Sequence, residues 1–127
     1  MLTREDELSH IIIGAAMEVH SALGPGLLEG AYEACLRVEL ETRGLEVQSQ
    51  LPIPVVYKGQ PVGCGFRLDL LVEDLVLIEV KAVERLAPIH KAQAITYLRL
   101  TGKKLCLILN FNVLHMRDGV ERVVMGL

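Results

Sequence analysis

Leu8, Ile11, Ile12, Ala15, Ala16, Val19 and Leu23 recur three and four residues apart, which is the spacing of one helical face. Thr3, three residues ahead of Asp6, has the form of a capping box. Together they predict a first helix over about 4–22. Gly24-Pro25-Gly26 breaks it. Leu28, Tyr32, Leu36 and Leu40 then make an i, i+4 stripe, predicting a second helix over about 27–43 with Gly44 as its stop. Pro52 and Pro54 interrupt the next extended segment, making it an edge strand or an irregular lead-in to Val55-Val56-Tyr57-Lys58. Lys58-Gly59-Gln60-Pro61 reads as a turn.

Two runs follow, 66–72 and 75–82, rich in leucine and β-branched residues and separated by Glu73-Asp74 as a turn. Pro88 is suited to the first turn of a third helix reaching about residue 100, with Thr101-Gly102 closing it. Leu105-Cys106-Leu107-Ile108-Leu109 is a buried strand, and Arg117-Asp118-Gly119 turns into a last strand over about 120–125. The expected order is α-α-β-β-β-α-β-β without internal repeats. That describes a single α/β domain over 1–127, with a mixed sheet.

Asp69 and Glu79-Val80-Lys81 stand out against this pattern, because two acids and a lysine are planted inside apolar strands. An unpaired buried charge costs several kcal/mol, so these residues need a compensating partner. One candidate is a divalent cation held through carboxylate oxygens, with the lysine beside a water and a phosphate. The other is an internal ion pairing of Asp69 and Glu79 with Arg67 and Lys81 on a polar sheet face. Register bears on the choice. A two-residue turn at Glu73-Asp74 would set Asp69 opposite Ile78 and send Glu79 to the other face. A three-residue loop or a bulge would bring Asp69 opposite Glu79.

Composition narrows the class. The chain has 127 residues, enough for one core, and with 4% aromatics and no Trp that core must be aliphatic. No apolar run approaches the ~18 residues of a membrane span, and the acidic start at Arg4-Glu5-Asp6-Glu7 does not suit a secretory leader. Cys35, Cys64 and Cys106 are odd in number and set in apolar contexts, which predicts reduced, buried thiols in a cytoplasmic protein and no zinc site. Gly24-Pro25-Gly26 lacks the Gly-Lys-Ser/Thr ending of a phosphate loop, so no nucleotide cofactor is expected. The net charge of −3 is unevenly spread: residues 1–46 carry −6 and residues 81–104 carry +5. A local basic face can hold phosphates on an acidic protein; a solvated helix face is the plainer reading.

Gly26-Leu27-Leu28-Glu29-Gly30-Ala31-Tyr32 resembles the signature of the GxxExxY protein family. The likeness runs from Ile12 through Asn112. It takes in Glu18-Val19-His20, Leu23-Gly24-Pro25-Gly26, Leu98-Arg99-Leu100-Thr101-Gly102 and Asn110-Phe111-Asn112. That family is placed in the PD-(D/E)XK nuclease superfamily. The resemblance implies a restriction-endonuclease-like mixed sheet flanked by helices and hydrolysis of nucleic-acid phosphodiesters, DNA being the expected substrate. It implies Asp69 and Glu79 as ligands of Mg²⁺ or Mn²⁺, Glu29 as the helical acid, and Lys81 as the catalytic lysine. The Val80 carbonyl is a further candidate ligand. Gln93-Ala94-Ile95-Thr96-Tyr97 resembles the Q-x-x-x-Y element of RecB-like nucleases. Gln93 is thereby a catalytic candidate, with Tyr97 on the same helical face. Arg85, Lys91 and Arg99 are candidates, with Tyr97, for nucleic-acid contacts. His20 is a candidate outer-shell residue, although a structural imidazole explains it as well. The sequence departs from the superfamily name in having Arg67-Leu68, not proline, before Asp69. The alternative is a non-catalytic binding or assembly module that keeps the fold and self-associates. A mean hydropathy of +0.38 and the short length are compatible with a homodimer.

Overall fold

The computed structural model describes residues 2–127. Helix α1 (Arg4–Leu23) opens with the expected box: the Asp6 amide donates to Thr3 Oγ1 at 3.0 Å and the Thr3 amide to Asp6 Oδ2 at 3.2 Å. Helix α2 spans Glu29–Thr42. Strands β1 (Val47–Tyr57) and β2 (Gln60–Val72) form a long hairpin, followed by β3 (Val76–Lys81), helix α3 (Pro88–Thr101) and β4 (Leu105–Asn110). A short 3-10 turn over Met116–Gly119 leads into β5 (Val120–Val124).

The five strands lie in sequence order, β1-β2-β3-β4-β5. Only β3 and β4 run parallel, because α3 carries the chain back between them; the other neighbours are antiparallel. The parallel pair is buried on both faces, which is why its sequence is nearly continuous aliphatic. Helices α1 and α2 cover one face through Leu8, Ile12, Ala16, Tyr32, Leu36 and Leu40, packed on Leu70, Val72, Ile78 and Leu107. Helix α3 covers the other through Ala94 and Leu98 on Leu71, Leu77, Cys106 and Ile108.

The β1–β2 hairpin does not keep to one face. Leu70 belongs to the core under α1 and α2, whereas Leu68, two residues earlier, belongs to the core under α3. In a regular strand those side chains would point the same way. The switch falls where Gln50 of β1, at φ 52°, stands across from Asp69. A left-handed residue in mid-strand turns the ribbon, so Leu51, Ile53 and Phe66 fold toward α3. Beyond that kink, residues 56–65 of the hairpin are exposed.

The expected order of elements is the observed one, and the restriction-endonuclease-like arrangement of a mixed sheet between helices is present. Strand β1 is an edge strand, irregular where expected: the register shifts on either side of Pro54. The thiols differ from expectation. Cys106 is buried, Cys35 is half-buried and Cys64 is exposed, because Cys64 sits on the projecting part of the hairpin, where an apolar sequence context does not mean a core.

Gly119 ends the 3-10 turn against the carbonyl of Asn110, and a Cβ there would overlap that oxygen. The overlapping atoms are strand backbone, not a flexible side-chain tip. Gly119→Ala is therefore expected to cost about 1–3 kcal/mol, read as a lower urea midpoint. An unchanged midpoint would mean that the 3-10 turn can move away from β4.

Candidate functional site

The site grows from the loop between β2 and β3. Val72 pairs with Val76, leaving Glu73, Asp74 and Leu75 as a three-residue loop. Glu73 and Asp74 take the left-handed conformation, at φ 53° and 56°, which short polar side chains and loop positions tolerate. Continuing that register past Leu70↔Ile78 brings Asp69 across from Glu79. Regular pairing of β2 with β3 stops at Leu70↔Ile78. Asp69 then substitutes for the missing ladder: its Oδ2 accepts the Val80 amide at 2.8 Å. The carboxylate is thereby fixed in the opening between two parting strands.

Glu79 lies on the same strand face as Leu77 and Lys81, under α3. It is only 7% exposed, and its Oε1 is buried with no hydrogen-bond partner among the described residues. Burial above all, and then the Asp69 carboxylate, push its pKa up to about 8, while the Lys81 ammonium pulls it back. Lys81 is half-buried at the end of β3. The Lys81 backbone is held on the other side, where the Phe111 amide donates to its carbonyl at 2.9 Å. Asn110, paired with Lys81 across the parallel ladder, pins the chain beyond: its Oδ1 accepts the Val83 amide at 3.1 Å and its Nδ2 donates to the Val83 carbonyl at 2.9 Å.

Helix α2 approaches from the opposite layer. The Tyr32 hydroxyl donates to the Gly24 carbonyl at 2.6 Å and accepts the Leu27 amide at 3.0 Å. Its ring stacks on Phe111 with centroids 4.7 Å apart. This one tyrosine ties the turn before Glu29 to the segment that holds Lys81. Glu29 is the first residue of α2 and is exposed. One turn later, Glu33 faces the site more directly. Both of its oxygens accept from the Gln50 side-chain amide, at 3.0 and 2.9 Å. Its pKa is raised chiefly by desolvation and further by Asp69 and Glu29. Glu33 and Gln50 lie outside the sequence-derived candidates, and Asn110 enters there only through the family resemblance. Glu33 was legible as the i+4 neighbour of Glu29; Gln50 had no signal, since its importance lies in a backbone angle.

On the α3 side, Tyr97 stacks on Phe66 with centroids 3.7 Å apart. Its hydroxyl pKa is raised by burial and by the charges of Glu79 and Asp69. Gln93 is half-buried one turn earlier on the same face. Lys91 pairs with Glu121 at 3.5 Å in the open. Arg85 and Arg99 are exposed and form no ion pair among the described residues. Arg67 donates to the Gln50 carbonyl at 3.5 Å and to neither acid. His20 is buried and donates from Nε2 to the Val113 carbonyl at 2.7 Å. Its cavity neighbours are Met17, Ser21, Leu114, His115, Met116 and Arg117.

The donor set has the character of a hard-cation site. Glu79 Oε1 is a buried oxygen with nothing to bind, and Asp69 accepts the Val80 amide while its carboxyl lies against those of Glu79 and Glu33. No group of three or more His, Cys, Asp or Glu is gathered closely enough to enclose an ion among the described residues. Two carboxylates supplemented by water suit an ion that dehydrates reluctantly, such as Mg²⁺. A family model described as the PD-(D/E)XK nuclease superfamily matches residues 6–123. No curated protein matches, and no solved structure matches. Nucleases of that superfamily generally use divalent metal ions. No helix among the described residues is long and apolar enough to cross a membrane.

The raised pKa of Glu79 has a thermodynamic consequence. Between its ordinary 4.5 and about 8 the folded protein holds a proton that the unfolded chain releases. Metal-free stability therefore falls as pH rises through that window, and Glu33 adds to the slope in the same sense. Urea melts in chelator at pH 5 and pH 8 should show that fall, and Glu79→Gln should flatten it. Mg²⁺ added at pH 8 should restore wild-type stability and release protons. An unchanged slope in Glu79→Gln would assign the titration to other groups.

Proposed function

We propose that this chain, which belongs to the PD-(D/E)XK nuclease superfamily, is a cytoplasmic Mg²⁺- or Mn²⁺-dependent nuclease that hydrolyses DNA phosphodiester bonds. The observation that carries this reading is the buried, unpartnered Glu79 oxygen beside Asp69. A fold has no structural use for the vacant Glu79 oxygen in its core, where an uncharged side chain of similar shape would be neutral or stabilising, whereas Asp69 also serves the fold through the Val80 amide. The Gly26-x-x-Glu29-x-x-Tyr32 run adds the narrower likeness to the GxxExxY proteins.

In this reading Asp69 and Glu79 would hold the ion, with the Val80 carbonyl and Glu29 or Glu33 adding oxygens directly or through water. A bound divalent ion would polarise the phosphate and make its water a better nucleophile. Asp69 does its part by being immobile: one oxygen is committed to the Val80 amide, so the other keeps a fixed direction. Lys81, two residues past Glu79 on the same face, places an ammonium where the attacking water is oriented and where negative charge grows on the phosphate. Tyr97 and Gln93 close the α3 side, excluding solvent and orienting a phosphate oxygen or the Lys81 amine. Arg85 and Arg99 are open to phosphates flanking the cut, while Lys91 would exchange Glu121 for such a contact. Contacts of this kind position a duplex without reading its sequence.

The test is cleavage of labelled linear, nicked, flapped and branched DNA and RNA with Mg²⁺ or Mn²⁺. Wild type, Glu79→Ala and Lys81→Ala are purified side by side. Wild type is expected to cut DNA, and each variant to lose about 10²–10³-fold or more in rate with an unchanged circular dichroism spectrum. Equal cutting by all three would identify a contaminant and remove the assignment. No cutting of any substrate would leave a self-associating binding module as the better account of the fold.

A further inference from the structure

The β1–β2 hairpin extends well past the core it helps to build. Along residues 56–65 the ribbon is exposed, and its large apolar side chains lie open: Val56 at 61%, Tyr57 at 62% and Val62 at 61%. A two-stranded ribbon left alone in water is marginal, so this one is built to meet a partner. Its chemistry narrows the partner. Between Glu46 and Asp69 the chain has no acidic residue, and it carries Lys58 and Arg67. A second acid-free stretch, from Arg85 through Arg117, contains all of α3. The kink at Gln50 folds the base of the hairpin toward that same side, where Phe66 stacks on Tyr97. The nine acids of residues 1–46 belong to the opposite layer and the turn after it. The arm and α3 thus bring only basic charge of their own to this side, where Glu121 and Asp74 are already paired with Lys91 and Lys103.

Strand addition to another sheet is poorly served by this ribbon. Pro52 and Pro54 remove donors from β1 and Pro61 removes one from β2, a common way of blunting an edge. A polyanion gains what a sheet edge does not: the Lys58 ammonium stands 5.4 Å from the Tyr57 ring centroid at the tip, a cation beside an aromatic on an unpaired turn. The width of an antiparallel pair also fits the major groove of B-form DNA, about 12 Å across.

We propose that the β1–β2 arm enters the major groove of duplex DNA to one side of the cleavage site, with Tyr57 and Lys58 at the groove wall. This rests on the nuclease reading for where the cut lies. From Leu51 to Tyr57 the strand extends about 20 Å at ~3.3 Å per residue. Laid along the duplex axis, that length reaches about six base pairs from the scissile phosphate, at ~3.4 Å per pair. The arm contributes affinity that short duplexes cannot use.

The test measures binding of fluorescein-labelled 8- and 24-base-pair duplexes by anisotropy, using full-length Glu79→Gln protein with and without Lys58→Glu or Tyr57→Ala. The expected result is a roughly tenfold weaker Kd for Lys58→Glu on the long duplex and a salt slope smaller by about 1. Tyr57→Ala should weaken binding several-fold, and both variants should bind the short duplex as the parent does. Dimethyl sulfate footprinting should show guanine N7 protection about six pairs from the cut, lost in the variants. Parental affinity and footprint in both variants would overturn the proposal, as would no duplex binding at all. So would light scattering that shows a dimer turned into monomers by either variant. Duplex binding with an arm-dependent footprint, but no cutting by wild type on any substrate, would sustain the arm and defeat the nuclease reading. Cutting by wild type that Lys58→Glu and Tyr57→Ala match when made in the otherwise wild-type chain, on long and short duplexes alike, would do the reverse.

Discussion

The hydrogen bond from the Val80 amide to Asp69 is the contact on which the rest of the site depends. A strand amide ordinarily spends its donor on a neighbouring strand, and β2 and β3 do pair from Val72↔Val76 to Leu70↔Ile78. At the next step the partner is a side chain. That substitution lets the strands separate without orphaning a backbone donor. It also aims a carboxylate into the separation. The opening admits α2 from one layer and α3 from the other. Glu33 feels the charge of Asp69 from the first, and Tyr97 feels it from the second. Without the side-chain acceptor, the ladder would close over the place where the acids meet.

Two supports keep this arrangement from relaxing. Gln50 holds a left-handed angle in mid-strand, a conformation that costs a non-glycine residue about 1 kcal/mol or more, and its side chain is held by both oxygens of Glu33. On the far side, Tyr32, Phe111 and Asn110 link the α2 turn to the chain on either side of Lys81. The first support fixes where Asp69 leaves β2; the second fixes where Lys81 ends β3. Between them the distance from acid to amine is set by rigid neighbours, which is what a preorganised electrostatic site requires.

Much of the fold could be read from periodicity, because each element has an unmixed pattern and clear punctuation. The Thr3–Asp6 box, Pro88 and Gly102 mark helix ends that the structure keeps to within a residue or two. Asp69, Glu79 and Lys81 were legible for the opposite reason, as charges breaking an apolar strand. What could not be read was geometry that depends on backbone angles. Glu73-Asp74 permits a two- or a three-residue loop, and only the left-handed pair followed by Leu75 decides it. The kink at Gln50 has no glycine to announce it. Glu33 looks like any acid near a helix start until that kink brings Gln50 within reach. Cys64 misled because an apolar neighbourhood in sequence belongs here to a projecting ribbon.

The vacant oxygen of Glu79 bears on how this chain could change over evolutionary time. Most catalytic residues can be lost at little benefit to the fold, so their decay is slow and random. A buried carboxylate oxygen with nothing to bind is different, since an uncharged, well-packed side chain in its place can stabilise the metal-free fold. Under the proposed metal-binding reading, a lineage that no longer needed the ion would be drawn toward glutamine or leucine at position 79, because folding itself would favour the change. On that reading, Glu79 in an otherwise well-packed core is a residue that continued use holds in place.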